Sequence, residues 1–480
     1  MPSNGNQKLP PPGGSREDMT PVQLGLSASP LPELPLIAPR LPLPEPPIPV
    51  VPEPAREYIR PAYAERFLCI NSACEDTCCK GWGVPIDQGT WEKYRSNDLL
   101  KPHLGTTIIL NPNVSSVSDY ARFQMKADST CPFFGPEQLC GIQKHLGAEM
   151  LPTTCSVYPR AVRTNSGQVE WALNLSCPEA ARLVLLDTNL IEDGNWRAST
   201  GARYAGALHS TRQPKDSAPA GFDPQLAVRE FVLLLLADRS YPLWQRLILL
   251  GTLGRRLHAL AAGARLTDWV QDHAAPVAQL LADSARSATQ GTLRPIMDVI
   301  EPQPDLQLQT IMELLRLRLC EQPIPERFLQ CVQEFELGLG CATAKSERQI
   351  LQAYTEGYRR YYLPLMEQHP HLLENYLANH VFKNTYPFGL KASAKTEPAL
   401  AAGTEHLSLC VHTGLIQTLL IGMAAHHREA FDCGHVVKLI QSMARTIEHS
   451  QRFLDQIAVF VQERDLNHPR GIALLVRPPA

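Results

Sequence analysis

Cysteine carries the most chemistry in this chain. Of 13 cysteines, eight fall in one stretch: Cys69, Cys74, Cys78, Cys79, Cys131, Cys140, Cys155 and Cys177. The first four are spaced C-x4-C-x3-C-C. Thiolates bind soft and borderline metals, with zinc and iron–sulfur clusters the leading cases. On a helical turn Cys74 and Cys78 would share a face, while Cys79 would point about a third of a turn away. The two adjacent thiols therefore need not serve one ion. Pro132, Gly135 and Pro136 mark a loop between Cys131 and Cys140. Folded back, such a loop can bring both thiolates to one metal at about 2.3 Å. Eight cysteines permit one four-thiolate cluster plus a second metal, or one cluster plus structural thiols. Spacing does not choose between iron–sulfur and zinc. His145 reads as a surface or capping residue. Cys320, Cys331, Cys341, Cys410 and Cys433 are scattered through amphipathic stretches and read as small buried residues.

The competing account of so many cysteines is a disulfide-stapled secreted domain. The opening residues lack the basic start and continuous apolar stretch of a secretory signal. The expected compartment is therefore the reducing cytoplasm, where dense cysteines point to metal.

The elements that must position these thiols follow from composition and periodicity. Residues 1–57 form a Pro-rich tail: 16 of the 42 prolines lie in residues 1–56, which favours extended polyproline II and a disordered spacer or docking tail. Residues 58–197 hold the cysteines among short segments and turn residues. Residues 198–222, small and polar, read as a linker. Residues 223–480 are helical, since their apolar residues recur at three and four positions. Helices are expected over 224–237, capped by Asp223, and over 242–262, 266–282, 306–320, 326–337, 346–362, 371–383, 404–427 and 433–464. The expected fold is mainly α, with a small Cys-rich irregular metal-binding domain followed by a larger helical domain. A formal net charge of −3 argues against a general nucleic-acid binder. No apolar run reaches the roughly 18 residues of a membrane span. Val232–Ala237 and Leu415–Ala425 come nearest, so no span is expected.

The string Cys74-Glu-Asp-Thr-Cys78-Cys79-x-Gly-Trp82, then Asp87, Cys131-Pro-Phe, Cys140 and Cys155-x-x-Tyr158-Pro159-Arg160, resembles the flagellin lysine-N-methylase family. It also overlaps small zinc- or iron-chelating CxxCxxCC proteins. A further match is Glu374-Asn-Tyr376-Leu-x-Asn379-x-Val-Phe382-Lys-x-x-x-Pro387-Phe388. The resemblance spans about residues 58 to 460. It implies a bacterial protein-lysine methyltransferase that uses S-adenosylmethionine and carries a [4Fe-4S] cluster. The cluster role carries over to the matching cysteines: Cys69, Cys74, Cys78, Cys79, Cys131, Cys140, Cys155 and Cys177. The implied partner is a lysine-bearing protein, flagellin or another surface protein; the Pro-rich tail lies outside the family pattern. The alternative is a non-enzymatic zinc- or iron-chelating module whose helical domain docks a partner.

Other signals are weaker. Glu336-Leu-Gly338-Leu-Gly340 superficially resembles a cofactor loop, but a preceding helix and the lack of alternating strands make it a helix C-terminal glycine turn. The radical-type C-x3-C-x2-C spacing is absent, and no cofactor pocket or catalytic residue is legible. His426 and His427 read as a surface pair. Arg359-Arg360-Tyr361-Tyr362 reads as a helix surface above an aromatic contact, and Trp82 and Trp91 as covers of the metal region. Methylation needs a neutral amine, hence a base or a desolvating pocket. Asp76, Asp87, Tyr158 and Glu374 are the candidates.

Overall fold

Short strands organise much of the cysteine region, which the sequence presents as irregular. In the computed structural model, residues 58–479 are described except 60, 113–116, 166–167, 192–221, 262–265, 322–323, 345, 389–397 and 449. The Pro-rich tail, and the linker save Phe222, lie outside the described residues.

Among the described residues, six strands form two three-stranded sheets: β1 (Tyr58–Ile59), β2 (Pro85–Ile86), β3 (Ile108–Leu110), β4 (Ala121–Phe123), β5 (Arg160–Asn165) and β6 (Gln168–Leu173). The sheet β2-β4-β3 is antiparallel. Ala121 and Phe123 face inward while Arg122 faces solvent, the alternation a half-buried strand requires. This sheet closes a small core containing Ile86, Trp91, Tyr94, Ile108, Phe123 and Phe133. In the other sheet, β1 runs parallel to β6, and β5 pairs antiparallel with β6, Val162 opposite Trp171. Trp171, Ala172 and Leu173 join the large helical core.

The helices follow the periodicity closely. Pro224–Ala237 begins where Asp223 accepts from the backbone of Gln225 and Leu226. Glu326–Leu339 ends on Gly340 at φ 65°, the left-handed cap that glycine adopts without strain. The long helix Pro398–His427 runs through the core. The stretch Glu405–Ala430, which includes most of this helix and the turn after it, has the length and composition of a membrane span, but 94% of its most apolar window is buried in protein. The expectation that no stretch would reach that length is corrected, and burial marks this one as a core helix. Cys320 and Cys341 are exposed rather than buried as expected, because they lie at the ends of their helices.

Two of the helices that hold the cysteine region against the rest do so through amide and guanidinium side chains. On His371–Asn384, Asn375 donates to the carbonyls of Val184 (2.9 Å) and Asp187 (2.6 Å). Asn379 donates to Leu173 O (2.9 Å) and accepts from the Tyr63 hydroxyl (3.1 Å). On Cys433–Ile447, Gln441 donates to Asp76 (2.8 Å) and Ser176 O (2.9 Å). Arg445, on the same helix, bonds Asp76 and the Lys80 carbonyl.

Candidate functional site

The polypeptide brings all eight clustered cysteines to the wall of one cavity of about 120 Å³. None of them is in a disulfide. Cys69 follows the short helix Ala62–Glu65, and Cys74 follows the 3₁₀ turn Asn71–Ala73. Cys74 and Cys78 do not lie on one helical turn, because the backbone is extended at Cys74 (ψ 120°). The Cys131–Cys140 loop folds back as its turn residues imply: Phe134 bridges Cys140, and Gly141 N donates to Phe133 O (2.7 Å). Cys131 N donates to Cys79 O (2.7 Å), joining the two cysteine runs.

Asp87 places Cys155. It caps the helix Gln88–Arg95 through Thr90 (2.8 Å) and accepts from Thr153 N (3.1 Å), at the start of the short helix carrying Cys155. Cys177 immediately precedes the helix Pro178–Leu185. His145 is exposed and outside the cavity wall, as the sequence reading holds.

Burial raises most of these thiols. Cys131 and Cys177 are pushed up to about 12, and Cys155 well above its usual value. The adjacent thiols of Cys78 and Cys79 shift each other in opposite directions: Cys78 holds Cys79 down, and Cys79 together with burial pushes Cys78 above its usual range. Binding a metal here therefore releases protons. Among the described residues, no three His, Cys, Asp or Glu groups are arranged to hold a single metal ion. A bare tetrahedral ion at about 2.3 Å needs its sulfurs roughly 3.8 Å apart. The thiols ring a space rather than converge on one point.

A second cavity of about 490 Å³ adjoins the first, and Cys78, Trp82 and Tyr158 line both. Arg160 and Ser176 add to its wall, and Arg445 closes it from the helical side. Trp82 donates its indole N–H to Cys78 O (2.7 Å), and its ring centroid lies 6.1 Å from that of Tyr158. Tyr158 pairs with the Ser176 hydroxyl at 3.0 Å, and burial lifts its pKa well above the ordinary phenol value. Gly81, at φ 89°, turns the chain beside Arg445.

The four candidate bases are all engaged. Asp76 is held by Arg445 and Gln441, and Asp87 caps a helix. Glu374 is buried between Arg239 and Arg246, each at 2.8 Å. Tyr158 is a neutral phenol. Trp82 covers the thiols as expected, whereas Trp91 sits in the small core. Sequence reasoning missed Arg445 and Ser176. Arg445 reaches Asp76 across 369 residues, a contact no local spacing announces.

Residues 229–475, slightly more than half of the chain, match the family model "FliB lysine N-methylase C-terminal domain". The chain is 37% identical over 133 residues to a lysine-N-methylase of Salmonella typhimurium, a match covering 26% of this chain and 32% of that protein. A lysine-N-methylase of Salmonella choleraesuis is 36% identical over 133 residues, with the same coverage. The flagellar biosynthetic protein FliU of Salmonella muenchen is 36% identical over 137 residues, covering 28% of this chain and 80% of that protein. The matched stretch thus spans about a third of the length of the two lysine-N-methylases. No solved structure matches the chain.

Proposed function

Because the chain belongs to the FliB lysine N-methylase family, we propose that it transfers the methyl group of S-adenosylmethionine to the ε-amine of lysines in a protein substrate. Flagellin is the first substrate to test. The reading includes an iron–sulfur cluster held by thiolates drawn from Cys69, Cys74, Cys78, Cys79, Cys131, Cys140, Cys155 and Cys177, and places the reaction in the cytoplasm. The observation that carries it is the second cavity, an aromatic and arginine-lined space of about 490 Å³ that opens beside Cys78 and is closed by Arg445 of the family-matched region. Cavities of this size suit a cofactor.

In this reading Trp82 and Tyr158 offer π-faces to the cationic sulfonium. Arg445 helps shape the cavity through its bonds to Asp76 and the Lys80 carbonyl. The amine nitrogen forms the new bond to the methyl carbon, the sulfur–carbon bond breaks, S-adenosylhomocysteine leaves, and one proton is lost. The candidate carboxylates are committed to other partners, so the amine must enter neutral, and the positive charges of Arg160 and Arg445 in the wall lower the pKa of the incoming lysine. The thiols that line one cavity are the donor type that iron–sulfur clusters use, and a cluster would be held by residues drawn from them. When bound, such a cluster supplies a Lewis-acidic or electron-donating neighbour to the cofactor.

Calorimetry on anaerobically purified full chain tests this. Binding of S-adenosylmethionine is expected, weakened at least tenfold in Trp82→Ala. Undiminished binding in that variant would move the cofactor elsewhere. A colourless, zinc-loaded chain that binds no S-adenosylmethionine would favour the chelating-module reading.

A further inference from the structure

The second cavity carries positive charge on its wall. Arg160 and Arg445 line it, and among the described residues no Asp or Glu does. Arg445 is balanced by Asp76, which lies outside this wall. Arg160 is fixed by Phe67: it donates to the Phe67 carbonyl (3.4 Å), and its guanidinium lies 5.2 Å from the centroid of the Phe67 ring. A guanidinium presents a planar fork of N–H donors, the shape that grips a carboxylate at two points.

Strand pairing sets Asn174 beside it. Arg160 is opposite Leu173, and Asn174 N donates to Pro159 O (2.7 Å). Asn174 lines the cavity, and among the described residues its side-chain amide makes no hydrogen bond. That amide offers both donors and an acceptor. Tyr158, whose ring is offered to the sulfonium together with that of Trp82, precedes Arg160 by two residues. The backbone is extended at Tyr158 (ψ 137°), so the two are set roughly 6.6 Å apart along the chain. In S-adenosylmethionine three carbons separate the sulfonium from the carboxylate, a span of the same order.

We infer that Arg160 and Asn174 form a carboxylate subsite, and that it takes the α-carboxylate at the amino-acid end of S-adenosylmethionine. The Asn174 side-chain carbonyl accepts from the ammonium on the same carbon. A carboxylate bound there also offsets the Arg160 charge, in a wall that otherwise repels a cationic sulfonium. The inference rests on the placement of the cofactor in this cavity under the proposed function, and not on the iron–sulfur cluster.

Calorimetry with two probes, S-adenosylmethionine and its decarboxylated analogue, tests it on anaerobically purified full-length protein. The wild type should bind the analogue at least tenfold more weakly, the loss of a charge-assisted pair. In Arg160→Gln, affinity for S-adenosylmethionine should fall to that for the analogue. Asn174→Ala changes no charge and should reduce the preference several-fold, which separates contact from distant repulsion. If Arg160→Gln fails to fold, the wild-type comparison and Asn174→Ala still decide. Equal binding of both probes by the wild type, with Trp82→Ala weakening both, overturns the subsite while the proposed function stands. A preference undiminished in both folded variants overturns it too. So does equal binding combined with methylation that needs an Asp or Glu beside the target lysine, which gives Arg160 to the substrate. No binding of S-adenosylmethionine, or binding indifferent to Trp82→Ala, overturns the cofactor placement in the proposed function and this inference with it.

Discussion

Glu374 illustrates how a residue's type can mislead about its role. A buried carboxylate in a family-like motif is a natural candidate for a base, yet it lies between Arg239 and Arg246 and is 2% exposed. Removing it strands Arg246, which is itself buried. Glu374→Ala should therefore cost about 3–5 kcal/mol of stability, read as a fall in melting temperature. Affinity for S-adenosylmethionine in the folded variant should stay unchanged; a selective loss of affinity would give Glu374 a direct role. Tyr158 makes the opposite case. It lines both cavities but remains a neutral phenol, so it can donate a hydrogen bond and cannot accept a proton at ordinary pH. Methyl transfer should rise with pH as the substrate ammonium, ordinarily near 10.4, loses its proton, and Tyr158→Phe should leave that profile in place. A profile whose ascending limb moves in Tyr158→Phe would make the tyrosine the base. At this scale the sequence is informative about identity: all eight cysteines and Trp82 line the thiol cavity. It is silent about Arg445, because hydrogen bonds between residues 369 apart leave no local pattern.

Among the elements, the apolar repeat finds the helices and misses their breaks. The stretch read as one helix over 433–464 is two, Cys433–Ile447 and Gln451–Glu463. Ser450 accepts from Phe453 N (3.2 Å) and starts the second. The stretch 266–282 breaks at His273, and 346–362 passes into a π-helical turn at Tyr358–Tyr362. Periodicity survives such interruptions, so it cannot report them. Four of the strands have only two or three residues, too few for a sequence repeat to announce them. Gly338, part of the apparent cofactor loop, has a packing role: a β-carbon there would lie 1.9 Å from the Gly422 carbonyl oxygen on the helix Pro398–His427. Gly338→Ala should destabilise by roughly 1–3 kcal/mol through overpacking, measured by denaturant unfolding. An unchanged midpoint would refute the close crossing. The same long helix buries two histidines. Burial depresses His406 to about 3, with Arg255 adding to the effect, and His412 to about 4. Both lie below their unfolded value near 6.5, so between those limits the unfolded chain binds more protons. Their contribution is complete above about pH 6.5 and is lost as pH falls toward 4. Melting temperature should therefore drop between pH 7 and pH 5, and the drop should shrink in His412→Phe. An equal drop in the variant would assign the acid sensitivity to other groups, such as Glu448 beside His412.

For the molecule as a whole, the change from cysteine-rich to helical character is visible in composition, but the way the two parts meet is not. The family-like string from Glu374 to Phe388 includes Asn375 and Asn379, which bind the cysteine region through its carbonyls. Asn379→Ala should expose that seam, costing roughly 1–3 kcal/mol for the orphaned Leu173 carbonyl and Tyr63 hydroxyl. It should also speed proteolytic cleavage between the parts; unchanged cleavage would mean that the seam is held elsewhere. The seam brings Arg445 to the cavity walled by Trp82, Tyr158 and Cys78, and the proposed chemistry depends on it. The most direct test is to incubate anaerobically purified full chain with flagellin and S-adenosylmethionine deuterated in its methyl group, then map flagellin peptides by mass spectrometry. The account predicts deuterated methyl groups on lysine ε-amines, with S-adenosylhomocysteine formed in equal amount and both greatly reduced in Trp82→Ala. Folded, iron-loaded protein that binds the cofactor and leaves every flagellin lysine unlabelled would contradict it.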